Sequence, residues 1–253
     1  MNTVVLGREK VHKGALVLVN ERYPLLDGNL MGLSPVDERF SDILMKRDAV
    51  NVLRLIFDKI SAAGRIVPVS GYRTSEEQRE IYENSLRENG GEFTRKFVAL
   101  PDHSEHQTGL AIDLALDAPD IDFICPEFPY DGICGDFRKA APDYGYIERY
   151  PAGKEEITGI AHEPWHFRYV GFPHSAIIAR NGFALEEYVD FIKAYSNERR
   201  FVFEREGNSP MEIFYVPAVL GATRISLPGC HIYQISGNNA DGFIVTVWRN
   251  GNE

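Results

Sequence analysis

Apolar and polar positions recur with two different periods along this 253-residue chain, and each change of period marks an element. Residues 15–19, "ALVLV", read as a first strand. In "DERFSDILMKRDAVNVLRLIFDKISAAG", residues 37–64, the apolar positions Phe40, Ile43, Leu44, Val50, Leu53, Phe57 and Ile60 follow helical spacing, and Gly64 is a natural stop. A short strand "RIVPVS" comes next, followed by a second helix. Thr74 with Glu77, or Ser75 with Gln78, makes a capping box at its start, and Gly90 and Gly91 close it. "GLAIDLAL", residues 109–116, sets Ala111, Asp113 and Ala115 against Leu110, Ile112, Leu114 and Leu116, a strand with one small and acidic face and one bulky face. Beyond a loop containing Pro119, Pro126 and Pro129 the pattern predicts a short helix near 137–142, the segment "GYIERY", a strand holding Trp165 and His166, and helices in "PHSAIIARNG" and "LEEYVDFIKAYS".

After about residue 197 the texture changes to short β-type runs separated by Gly, Pro and Asn turns. The expected fold is therefore α+β, with helices packed on a central antiparallel sheet. The expected division is a catalytic domain over residues 1–196 and a β-rich C-terminal extension over 197–253. The aromatic residues Phe214, Tyr215, Tyr233 and Trp248 of that extension suit a cover for a site, an oligomer interface or a stabilising layer equally well.

Composition narrows the function. A hydrophobic content of 44% with 25% charged residues is ordinary for a globular protein, and a net charge of −10 opposes nucleic-acid binding and adhesion to anionic membranes. No run is long enough for a membrane span, and the N-terminal residues lack the apolar core of a signal peptide, so a bacterial cytoplasmic location is expected. Cys125, Cys134 and Cys230 are odd in number and lack C-x-x-C spacing, which argues for reduced thiols rather than a disulfide framework. Oligomeric state is not set by these features.

The stretch "GIAHEPWHFRYVG", residues 159–171, matches H-E-x-x-H through His162, Glu163 and His166. That motif needs a helix, and Pro164 at its centre with Trp165, Phe167, Tyr169 and Val170 around it favours a strand. A second polar cluster, "DHSEHQTGLAID", places His106 in a glycine-containing turn and Asp113 on the small-residue face of the next strand. His106, Asp113 and His166 would together supply the three protein ligands of a catalytic zinc, and Glu163 would act as general base. On this reading His162 matches by coincidence. His12, His103, His174 and His231 read as ordinary, although His103 and His162 are close enough in sequence to partner the ligands.

The blocks "SGYRTSEEQ", "SEHQTGLAIDL" and "HEPWHFRYVG" resemble, in order and rough spacing, the signatures of the zinc D-Ala-D-Ala peptidases of the VanX, VanY and VanXY type, relatives of the hedgehog-like metallopeptidase fold. The resemblance covers about residues 10–195 and comes nearest to the bifunctional VanXY members. It implies one zinc per chain on His106, Asp113 and His166, with Glu163 as base and Arg73 as stabiliser of the oxyanion. It also implies Ser104 and Gln78 as contacts to the substrate's termini, and Trp165 reads as packing and secondarily as a pocket wall. The implied substrates are D-Ala-D-Ala and UDP-linked pentapeptide precursors, in glycopeptide resistance. Two alternatives stand beside it: an endolysin-type L-D peptidoglycan endopeptidase, and a non-catalytic binding protein on the same fold. A wall-binding module would commonly be basic, and no ligand or base is lost, which disfavours each in turn.

Overall fold

The computed structural model describes residues 2–26, 32–207, 209–227 and 232–249; Cys230 and His231 lie outside them. The chain forms two compact units, Val19–Ala184 and the joined segments Met1–Leu18 and Leu185–Glu253. This differs from the expected boundary at 196/197, because the first residues and the last predicted helix belong with the C-terminal strands.

The chain opens with β1 (Asn2–Gly7). Residues 15–19 do not form the expected strand. Their backbone is tied instead to a side chain and a loop: Leu16 N donates to Ser236 Oγ, and Leu18 N to the Asn238 carbonyl.

The larger unit contains β2 (Leu33–Asp37), β3 (Phe40–Lys46), α1 (Arg47–Ile60), β4 (Ile66–Ser70), α2 (Ser75–Phe97), β5 (Ala111–Leu116), α3 (Gly132–Ala140), β6 (Tyr146–Tyr150), α4 (Glu155–Thr158), β7 (Glu163–Tyr169) and α5 (His174–Asn181). The single helix expected over 37–64 is half wrong. Phe40–Lys46 pairs antiparallel with Leu33–Asp37, so pairing with a neighbour overrides the helical spacing, and the helix starts only at Arg47. Thr74 caps α2 through the Thr74–Glu77 capping box. The backbone leaves helical geometry at Gly90 (φ 80°), as the glycines suggest, but the helix resumes and runs to Phe97.

Four strands form an antiparallel sheet in the order β4-β5-β7-β6. Strand alternation divides its faces. Ile112 and Leu114 of β5 and Phe167 of β7 join Ala49, Val50, Leu53 and Ile56 of α1 and Phe137 of α3 in one buried core. Each large apolar side chain buried there contributes roughly 1.5–3 kcal/mol. Asp113 and His166 stand between those apolar positions, and they are register partners, Asp113 opposite His166.

The second unit contains β1, α6 (Leu185–Lys193), β8 (Phe201–Phe203), β9 (Met211–Pro217), β10 (Ala222–Leu227), β11 (Ile232–Gly237) and β12 (Gly242–Trp248). β1 pairs antiparallel with β10, and the remaining strands form a sheet in the order β11-β12-β9-β8. Val11, Phe214, Ile225, Leu227, Phe243, Val245 and Val247 make its core. Among the described residues no helix is long and apolar enough to cross a membrane.

Candidate active site

The register of β5 against β7 brings the first two functional groups together: Asp113 Oδ1 accepts from His166 Nδ1 at 2.9 Å. The third arrives on a short 3-10 turn, Glu105–Thr108, which ends at Gly109 with φ 68°, a left-handed conformation that suits glycine. There His106 Nε2 lies 3.1 Å from Asp113 Oδ2. One ligand atom from each of His106, Asp113 and His166 falls within 4.8 Å of the others, and all three residues are buried.

The "SGYR" block explains how His106 is oriented. His106 Nδ1 donates to the Gly71 carbonyl at 2.6 Å, so its proton sits on that side and the Nε2 lone pair faces Asp113. A side chain at position 71 is excluded, since a Cβ there would lie 2.4 Å from the Leu44 carbonyl oxygen. Glycine at this position therefore allows the backbone to pack close against Leu44 of β3, and the Gly71 carbonyl held there orients His106.

Electrostatics fit the same picture. Burial, reinforced by the charge of Arg73, lowers the His106 pKa to about 4 and keeps its imidazole neutral at pH 7. Burial opposes a charge on Asp113, yet His106 and His166 outweigh it and hold the carboxyl far below its ordinary range. For His166 burial is likewise overcome, here by the Asp113 carboxylate, and the pKa rises to about 9. Two histidines around an ionised carboxylate form a nitrogen and oxygen donor set that fits a zinc ion, which would displace the extra proton of His166 on binding.

Arg73 enters from the end of β4. Its Nε donates to Ser70 Oγ at 2.9 Å, one terminal nitrogen to Gln78 Oε1 at 3.1 Å and the other to Asp113 Oδ2 at 3.2 Å. Gln78 is itself held by donation to the Ala99 carbonyl, so both ends of its amide are engaged within the protein. Glu163 opens β7 with Oε2 at 3.8 Å from His166 Nδ1, and burial raises its pKa to about 8. Ser104, Trp165, Glu163 and Arg73 line one cleft with His106, Asp113 and His166, with ≈ 490 Å³ of atom-free space that is partly open to solvent. That is room for a small ligand end rather than a folded partner.

The H-E-x-x-H match lies on a strand, and Pro164 sits where the β6–β7 pairing is irregular, between Glu148 and Tyr150. His162 is outside the cluster and hydrogen-bonds Tyr130 Oη at 2.7 Å. His103 Nδ1 bonds the Asn20 carbonyl. What sequence reasoning missed is the layer behind the cluster. Glu105, fully enclosed, pairs with Arg149 at 2.7 Å and Arg168 at 2.9 Å, and Tyr150 packs its ring 4.9 Å from that of His166. Burial opposes the Glu105 charge, but the two guanidiniums prevail and keep the carboxyl ionised. Adjacency of Glu105 to His106 was the one available signal; Arg149 and Arg168 carry none.

An antiparallel sheet carrying a His, Asp and His cluster, with a buried carboxylate and guanidinium in the same cleft, has the construction of a hydrolytic metallopeptidase. Comparison with known proteins specifies the family. The VanY family model, D-alanyl-D-alanine carboxypeptidase, matches residues 42–172. The bifunctional D-Ala-D-Ala dipeptidase and carboxypeptidase VanXYC of Enterococcus gallinarum is 42% identical over 181 residues, covering 70% of this chain and 94% of that protein. The vancomycin resistance D,D-dipeptidase VanXYg, solved in complex with a D-Ala-D-Ala phosphinate analogue, superposes with a TM-score of 0.96 at 62% identity over 98% of this chain and 99% of that one. A VanY from a VanB-type resistance cassette, solved with Zn(II), superposes with a TM-score of 0.57 at 30% identity over 69% of this chain and 98% of that one. The chain belongs to the VanY family of D-alanyl-D-alanine peptidases.

Proposed function

We propose that this protein is a zinc D,D-peptidase that hydrolyses D-Ala-D-Ala and removes the terminal D-Ala from UDP-linked pentapeptide precursors, acting in glycopeptide resistance. The observation that carries this reading is the meeting of His106, Asp113 and His166 with Glu163 and Arg73 in one cleft. His106, Asp113 and His166 would hold one zinc per chain. Bound there, it supplies Lewis acidity, lowers the pKa of water to about 7 and, by its charge, favours the ionised form of Glu163.

The chain's own groups do the rest. Glu163, whose proton affinity is lifted by burial, takes the proton of the attacking water and returns it to the leaving amine. Arg73, fixed by Ser70 and Gln78, faces the negative charge that develops on the scissile carbonyl oxygen. Gln78 acts through Arg73, and Ser104 and Trp165 shape the pocket for the D-configured terminus. The free thiols of Cys125 and Cys134 suit a reducing cytoplasm, where precursors are made.

Support for the longer substrate comes from a second cavity of ≈ 650 Å³ that shares Val98, Ala99, Tyr150 and Ile160 with the first. It continues the cleft in the way a peptide extending beyond the terminal dipeptide requires. The test compares release of the terminal residue from D-Ala-D-Ala, from the UDP-linked pentapeptide and from its D-Ser and D-lactate analogues, and solubilisation of purified sacculi. Both soluble D-Ala substrates are expected to be cleaved. Solubilised sacculi with both soluble substrates intact would establish the endolysin-type alternative.

A further inference from the structure

Both ligand imidazoles have a second nitrogen that needs an acceptor, and the structure treats the two differently. His106 Nδ1 has the Gly71 carbonyl at 2.6 Å. His166 presents Nδ1 to Asp113, so its Nε2 points away from the cluster into the protein, where it is buried without a hydrogen-bond partner. Glu105 Oε2 lies 3.9 Å from it and is likewise buried and without a hydrogen-bond partner. Two complementary groups facing each other unsatisfied, in residues 1% and 3% exposed, would be costly unless the contact closes in the working state.

We propose that Glu105 is a positioning residue for the reaction: its free Oε2 accepts the Nε2 proton of His166 and so presents Nδ1 to the metal. The proposal rests on the zinc reading above. Glu105 is suited to this because its other oxygen, Oε1, is anchored by Arg149 at 2.7 Å and Arg168 at 2.9 Å. Two fixed cations hold the carboxylate as an anion and set its direction, leaving one oxygen to aim. The Tyr150 ring, 4.9 Å from the imidazole, limits how far the ring can swing. A carboxylate behind a metal-bound histidine fixes the tautomer and raises the basicity of the ligand. Glu105 is not one of the three residues of the metal-binding cluster, and its effect passes through His166.

The decisive measurement uses zinc-loaded wild-type protein with 15N-labelled histidine. His166 is expected to show a zinc-bound Nδ1 and a protonated, slowly exchanging Nε2. A zinc-bound Nε2 on His166 would overturn the proposal while leaving the metal site intact. Absence of any zinc-dependent histidine shift would overturn the zinc reading itself, and this proposal with it. In Glu105→Gln the zinc affinity, measured by chelator competition on protein still folded at the assay temperature, should fall roughly 10–100-fold, while the loss of the buried ion pairs lowers the melting temperature of the chelator-treated protein. The His166 Nε2 proton should also move upfield. A folded Glu105→Gln protein with wild-type zinc affinity and an unmoved resonance would overturn the assignment.

Discussion

The guanidinium of Arg73 lies 3.2 Å from Asp113 Oδ2, the same oxygen that stands 3.1 Å from His106 Nε2. One carboxylate therefore couples Arg73, the proposed oxyanion group, to the proposed metal cradle. Because Ser70 and Gln78 hold the rest of the guanidinium, Arg73 is preorganised before substrate arrives, and preorganised donors act chiefly on developing charge. Arg73→Ala should lower kcat by roughly 10²–10³ with a smaller change in KM and with zinc retained. Steady-state kinetics on D-Ala-D-Ala with parallel metal analysis checks this, and a defect confined to KM would remove Arg73 from the transition state.

Ligands and base separate by metal content. Alanine at His106, Asp113 or His166 should each strip zinc strongly, whereas Glu163→Ala should keep it and lose turnover by roughly 10²–10⁴. His162→Ala should also keep the metal, because its imidazole is engaged with Tyr130 outside the cluster. Zinc binds only the folded cradle, so a chelator should lower the melting temperature of wild type but not of His106→Ala. Full zinc occupancy in all three ligand variants would refute the assignment.

Substrate length should be separable from chemistry. Leu100 lines the second cavity and not the metal cleft. Filling that space with Leu100→Trp should reduce pentapeptide turnover about tenfold, a cost of the size expected for overpacking, while hydrolysis of the free dipeptide stays near wild type. Equal losses on both substrates would mean that the cavity does not hold the longer peptide.

The sequence reached the site more completely than the fold around it, and the reason lies in what local patterns encode. Asp113 between Ile112 and Leu114, and His166 between Trp165 and Phe167, expose strand alternation directly, and Pro164 with the aromatic and β-branched residues around it excludes the helical motif. Phe40–Lys46 was misread because its apolar positions suit a helix equally well, and only the partner Leu33–Asp37 decides. The pairing of β1 with β10 joins residues more than 200 positions apart, beyond any local signal. Separation in sequence, 44 positions for Arg149, likewise hid Arg149 and Arg168, whose role depends on meeting Glu105.

His174 offers a pH test away from the cleft. It begins α5, is 3% exposed, and burial lowers its pKa from 6.5 to about 3. A charge there would be desolvated and would also oppose the positive end of the helix. Because the folded pKa lies below the unfolded one, the unfolded chain takes up the proton first as pH falls. The stabilisation from neutral His174 is thus present above about pH 6.5 and is lost progressively toward pH 3. At about 1.4 kcal/mol per unit, the loss by pH 4.5 is roughly 2–3 kcal/mol. His174→Gln cannot titrate, so its melting temperature should fall less steeply between pH 7 and pH 4.5 than that of wild type. Both proteins should be chelator-treated, so that proton competition at the metal ligands does not enter. Parallel curves for the two proteins would show that His174 is not the group whose protonation destabilises the acid form.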